Sequence, residues 1–111
     1  MTTIFGKIIS GELPAEKIFE NERILVIKDI NPKAPLHLLI MPKKEISDLQ
    51  SVQQQDLSLI GEMIAIAQKL AVDYKVTDGY RLVVNNGFLS GQTVSHLHFH
   101  LLGGQKLGRM V

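Results

Sequence analysis

Near the end of the chain, three histidines recur at every second residue, in His96-Leu97-His98-Phe99-His100-Leu101-Leu102. Alternation is the period of a β-strand, because successive side chains leave the pleated backbone on opposite faces. Written as a strand, the segment puts only imidazoles on one face and Leu97, Phe99 and Leu101 on the other. A helix would scatter the same imidazoles around its axis. The pattern predicts a half-buried strand whose exposed side is a row of histidines, closed by Gly103-Gly104.

Upstream, the chain supplies the sheet for such a strand to join. Ile4, Phe5, Ile8 and Ile9 fall at near-helical spacing before Gly11 and Pro14, which predicts a short N-terminal helix. Lys17–Glu20 and Arg23–Asp29 are β-rich runs about a two-residue Asn21-Glu22 turn. A loop with Pro32 and Pro35 follows, and then Leu36–Pro42, a strand carrying the fourth histidine, His37. Ser51-Val52-Gln53-Gln54 fits a capping box. Leu57, Ile60, Met63, Ile64, Ala67, Leu70, Ala71 and Tyr74 then recur at steps of three and four residues, which predicts one long helix over about 52–75 with that stripe in the core. Tyr80–Asn85 is a further strand, and a turn-rich loop leads from it to the histidines. With one long helix and no strand-helix alternation, the expected class is α+β: a mainly antiparallel sheet of about five strands in a single domain spanning 1–111.

Composition narrows the functions. The net charge is +1 and aromatics are 5% of 111 residues, so no basic stripe with stacking residues is present for nucleic acid. The chain has no cysteine, which excludes disulfide and thiol chemistry and fits a reducing compartment. No apolar run approaches the roughly 20 residues of a membrane span. The expectation is a soluble cytoplasmic protein without nucleic-acid or membrane partners.

Three chemistries suit the imidazole row. Neighbouring same-face strand residues lie roughly 7 Å apart, so two could share a zinc ion, whereas His96 and His100, about 13 Å apart, could join them only if the strand bends. A closed site would need His37 or a distant carboxylate as well. A second possibility is that the histidines are ordinary half-exposed strand residues. The third is covalent catalysis. An imidazole with a pKa of about 6.5 is largely neutral near pH 7 and can attack an electrophile without a separate base. Crowded imidazoles oppose one another's protonation, and His98, flanked on both sides, is the natural nucleophile. The adjoining loop, with Gly87, Gly91, Gln92, Thr93 and nearby Asn85, suits an anion such as phosphate, although the same composition also makes a simple turn. Asp29 fits either a turn bond at Ile30-Asn31-Pro32 or the diol of a ribose.

These residues resemble the histidine triad family, whose motif alternates three histidines with apolar residues and ends in two of them. Nearly the whole chain is similar to its Hint branch, the purine nucleoside phosphoramidases. The resemblance runs through Thr3–Ile9, Asp29–His37, Pro42-Lys43-Lys44, Gly79-Tyr80-Arg81, Gly91–Val94 and Leu102-Gly103-Gly104. It implies a two-fold homodimer with a purine nucleotide bound beside each triad, and no cofactor or metal. Ile4, Phe5, Ile8, Ile27 and Ile30 would form the slot for the base, and Asp29 would hold the ribose. Asn85, Gln92, Thr93, Val94 and His100 would hold the phosphate, with Thr93 near the leaving amine. His98 would be the nucleophile, with His37 and His96 orienting it and supporting proton transfer. The implied reaction is hydrolysis of the phosphorus-nitrogen bond of a nucleoside 5′-phosphoramidate through a nucleotidyl-His98 intermediate. Alternatives are hydrolysis of dinucleoside polyphosphates and a non-catalytic nucleotide- or zinc-binding module. Ser90-Gly91 stands where the branch often has two glycines, and Phe88-Leu89 makes this loop unusually apolar.

Overall fold

The computed structural model describes residues 3–110. Helix α1 spans Ile4–Ser10, β1 Lys17–Glu20, β2 Ile24–Lys28, β3 Leu36–Pro42, α2 Leu57–Asp73, β4 Tyr80–Val84 and β5 Phe99–Gly103. All five strands join one antiparallel sheet in the order β1-β2-β3-β5-β4, so the predicted α+β architecture is the observed one. The β5 strand, the last in the chain, inserts between β3 and β4. This places His100 next to Leu39 in register and one step from His37, which pairs with Leu102.

The sheet has two covered faces, which is why β3 is apolar at nearly every position. On one face Leu36, Leu38, Ile40, Phe99 and Leu101 pack with Leu59, Met63, Ile66, Ala67, Leu70 and Ala71 of α2. On the other, Leu25, Ile27, Leu39 and Met41 pack with Phe5 and Ile8 of α1. His37 shares that second face by strand parity with Leu39 and Met41. It takes the place of an apolar residue where the α1 cover ends.

Three expectations need correction. The long helix starts at Leu57, after short 3-10 turns at Leu49–Ser51 and Gln54–Asp56. Ser51 ends the first of these turns, six residues before the helix, and both its amide and its hydroxyl donate to Asp48 Oδ1, at 2.9 and 2.7 Å. The helix is also rotated from the predicted stripe. Leu59 and Ile66 are in the core, while Leu57 and Ile64 are exposed, because two apolar rows both satisfy the three-and-four spacing. Second, the β1–β2 connection has three residues, since Asn21 Oδ1 accepts from the amides of both Arg23 and Ile24 at 2.8 Å and holds Arg23 in the turn. Third, the histidine strand begins only at Phe99. His96, Leu97 and His98 precede the ladder, and His96 is wholly buried, so no exposed imidazole face exists.

The Gly103-Gly104 pair positions the loop that carries Asp29. Gly104 has φ +92°, and a Cβ there would lie 3.0 Å from the Pro35 side chain. Only glycine combines that backbone conformation with so close an approach.

Candidate active site

Each histidine is fixed by a hydrogen bond that also fixes where its proton lies. The ring of His96 is anchored by Nε2–H to the carbonyl of Pro42 at 2.8 Å, which ties the segment before β5 to the end of β3. Leu97 adds a backbone bond to the Ile46 carbonyl at 2.7 Å. With the segment pinned in this way, the carbonyl of His96 faces the next histidine and accepts from His98 Nδ1–H at 2.7 Å. A carbonyl can only accept, so the neutral ring of His98 carries its hydrogen on Nδ1 and keeps a free lone pair on Nε2. The edge of Phe5 meets this ring with centroids 4.8 Å apart, and His100 lies 5.1 Å away on the same measure.

The same logic orders His37 and His100. The Lys33 amide donates to His37 Nδ1 at 3.0 Å, so the proton of neutral His37 is on Nε2. From there it is donated to His100 Nδ1 at 2.9 Å. His100 is then left with its proton on Nε2. A directed chain results, from the Lys33 amide through His37 to His100, and its last N–H is available to a ligand. Asp29 stands beside the chain, with Oδ1 accepting from the Asn31 amide at 2.8 Å and Oδ2 lying 3.3 Å from His37 Nε2.

Donor atoms of Asp29, His37 and His100 lie within 4.8 Å of one another, close enough to converge on a cation. The hydrogen bonds oppose that use. A metal on His37 Nε2 would have to displace its proton, while Nδ1 cannot take that proton up without losing the Lys33 amide. The chemistry of this donor set is that of a proton relay rather than of a metal cage.

Burial holds these rings neutral. It is the largest influence lowering the pKa of His37, of His98 and of His100, the last pushed down to about 4. Neighbouring imidazoles depress His100 further, whereas the Asp29 carboxylate pulls all three back upward. The shift has a consequence for stability. Unfolded imidazoles take up protons near 6.5, whereas His100 in the fold refuses one until about 4. Within that window the unfolded chain binds more protons, so stability is greatest above pH 6.5 and declines as pH falls. His37 and His98 act in the same direction. Thermal melts at stepped pH are expected to show Tm falling steadily from pH 6.5 toward 4; a flat Tm would contradict the buried neutral rings.

His98 and His100 line a cavity of about 400 Å3 between α1, β2, β3 and the loop before β5. Ten of the residues singled out in the sequence meet there: Ile4, Phe5, Ile8, Ile27, Asp29, Ile30, Thr93, Val94, His98 and His100. Ile30, at 91% exposure, and Ile4 form an apolar rim, the kind of open apolar surface that marks a ligand groove. His37 and His96 do not line it; their rings are tied to His100 and to the Pro42 carbonyl. Asn85 follows β4, half-buried, and does not line the cavity. Gln92 does not line it either. Its Oε1 accepts from the Gly87 amide at 2.7 Å and its Nε2 donates to the carbonyls of Ser47 and Val94, both at 2.9 Å. Those bonds engage both amide hydrogens, so in this conformation Gln92 braces the loop instead of offering donors to a phosphate. Phe88 and Leu89 project from the braced loop almost fully exposed, between Gly87 and Gly91, which both have positive φ.

Leu13, Pro14, Ala15, Lys28, Asn31 and Leu39 also line the cavity and were not foreseen. Leu39 was findable, since it sits two residues from His37 on the same strand face. The Leu13–Ala15 turn carries no such signal.

A family model for the HIT domain matches residues 10–107. The chain belongs to the HIT domain family. An uncharacterized HIT-like protein of Chlamydia muridarum is 54% identical over 108 residues, spanning 97% of this chain and 86% of that one. Among solved structures, a HIT family hydrolase from Legionella pneumophila Philadelphia 1 is similar with a TM-score of 0.92 and 44% identity, over 95% of each chain. A histidine triad protein from Clostridium difficile superposes with a TM-score of 0.94 at 36% identity, over 100% of this HIT protein and 97% of its own length. No helix among the described residues of the HIT protein is long and apolar enough to cross a membrane.

Proposed function

We propose that this HIT protein is a hydrolase that cleaves the phosphorus-nitrogen bond of purine nucleoside 5′-phosphoramidates through a nucleotidyl-His98 intermediate. The observation that carries the reading is the fixed tautomer of His98, neutral and with its free lone pair on Nε2 in a ring that lines the cavity. The name of the Legionella pneumophila protein as a hydrolase supports it.

The proposed steps use this geometry. The base occupies the apolar slot of Ile4, Phe5, Ile8, Ile27 and Ile30, and the ribose diol donates to Asp29. Nε2 of His98 forms a bond to the α-phosphorus while the phosphorus-nitrogen bond breaks, and its electron pair leaves with the amine, which takes a proton. Attack makes the imidazole ring cationic. The His96 carbonyl, already accepting from Nδ1–H, stabilises that charge through a bond that strengthens as the charge develops. His100 Nε2–H supports a phosphoryl oxygen. Water then attacks phosphorus, His98 Nε2 departs, and nucleoside monophosphate and a proton are released.

Comparing substrates tests this reading. With a chelator present, adenosine 5′-phosphoramidate is expected to give AMP with a higher kcat/KM than a diadenosine polyphosphate. The reverse order would favour the dinucleoside polyphosphate alternative. Binding of AMP with turnover of neither substrate would make the site a binding module.

A further inference from the structure

Asp29 is placed to do more than hold a sugar. Its side chain is 19% exposed and that of His37 only 4%, and Oδ2 lies 3.3 Å from the same Nε2–H that His37 donates to His100 at 2.9 Å. The His37 N–H therefore has His100 as its hydrogen-bond acceptor and the carboxylate as a competing negative charge beside it. The other carboxylate oxygen is fixed by the Asn31 amide, so Oδ2 cannot swing away without breaking that bond. His37 cannot answer with a second proton, because the Lys33 amide occupies Nδ1.

We infer that Asp29 couples ribose recognition to the histidine relay, acting as a positioning residue for His37 and His100 as well as a sugar acceptor. With no sugar hydroxyl to answer it, the Oδ2 charge pulls on the His37 N–H and weakens its donation to His100. A bound diol donates to Oδ2, satisfies that oxygen and leaves the His37 proton wholly to His100. His100 Nε2–H is then held on its phosphoryl acceptor by a completed chain. Hydrogen bonds in such chains polarise one another, so tightening one end strengthens the other. The charged and titratable groups that face His37 are Asp29 and Lys33 from the loop between β2 and β3, and His100 from β5, behind which stands His98. Asp29 is the one anion among them, and it also belongs to the nucleoside slot.

This inference rests on the hydrolase reading, and the two are separable. Wild type and Asp29→Asn are each given adenosine 5′-phosphoramidate and its 2′,3′-dideoxy analogue, with kcat and KM measured separately. In the wild type, loss of the diol is expected to raise KM and also to lower kcat about tenfold, the scale of one hydrogen bond to a charged group. In Asp29→Asn the two substrates should give kcat values within about twofold of each other, because the coupling has been removed. The variant should also move the acid limb of kcat/KM to lower pH, since its neutral amide no longer favours protonated His37 and His100. A wild-type kcat that ignores the diol, with the whole effect in KM, would overturn the coupling and leave the hydrolase standing. Absence of monophosphate release, AMP from the one substrate and its 2′,3′-dideoxy counterpart from the other, by folded wild type would remove both. If Asp29→Asn does not fold, the wild-type comparison of the two substrates still decides.

Discussion

Replacing His98 by alanine is expected to lower the turnover of adenosine 5′-phosphoramidate by about 10⁴-fold or more while changing AMP affinity by less than about tenfold. The asymmetry follows from where the ring sits. The proposed nucleoside slot is lined by α1, β2 and the loop after β2, with Asp29 and Thr93, and His98's own hydrogen bond runs to the His96 carbonyl and not to any of these. The lost group is a cavity-lining ring whose Nε2 lone pair is kept free, because the His96 carbonyl engages Nδ1–H. Truncation opens a gap against Phe5, so folding should be checked by circular dichroism alongside calorimetric titration with AMP. Full turnover in a folded His98→Ala protein would mean that another group attacks phosphorus.

The second large effect is expected at His37, which does not line the cavity. His37→Asn keeps an acceptor near the position of Nδ1 for the Lys33 amide but deletes the Nε2–H that fixes the tautomer of His100. Without that donor, His100 can put its proton on Nδ1 and turn a lone pair toward the phosphoryl oxygens, which repels them. A fall in kcat of about 10²-fold is expected, with KM and Tm little changed, in keeping with the loss of one proton-handling group. An equal loss in His37→Asn and in a folded His37→Leu variant would support the relay. Undiminished kcat in His37→Asn would show that His37 has only a packing role.

Much of this site was legible in the sequence, and the parts that were not share a cause. The apolar run Leu36–Pro42 and the alternation through Phe99–Leu101 identified both central strands, which send successive residues to two covered faces. Ten of the sixteen residues that line the cavity are among those singled out in the sequence, from the N-terminal segment, Ile27, Asp29-Ile30, Thr93-Val94 and the triad. The pattern could not show where the β5 ladder begins. His96 and His98 keep the alternation of a strand, but the His96 ring bonds the Pro42 carbonyl and the segment departs from the sheet before Phe99. Gln92 was misjudged for a related reason: donor atoms in a glycine loop look free until the loop's own bonds are counted. The capping-box pattern at Ser51 likewise belongs to a separate turn that Asp48 caps, two short turns before α2 begins. Contacts between residues near in space but without a shared period, such as the Leu13–Ala15 turn against the slot, leave no mark on local sequence.

The central claim is a covalent bond between His98 and phosphorus, and trapping it is the most direct measurement. Wild-type protein mixed with adenosine 5′-phosphoramidate labelled at phosphorus is quenched within a turnover, digested and analysed by mass spectrometry. The label is expected on the peptide carrying His98 while substrate lasts, and should disappear from it as AMP accumulates. AMP formation with no label on that peptide at any quench time would mean that water attacks the substrate directly, contradicting His98 as the nucleophile.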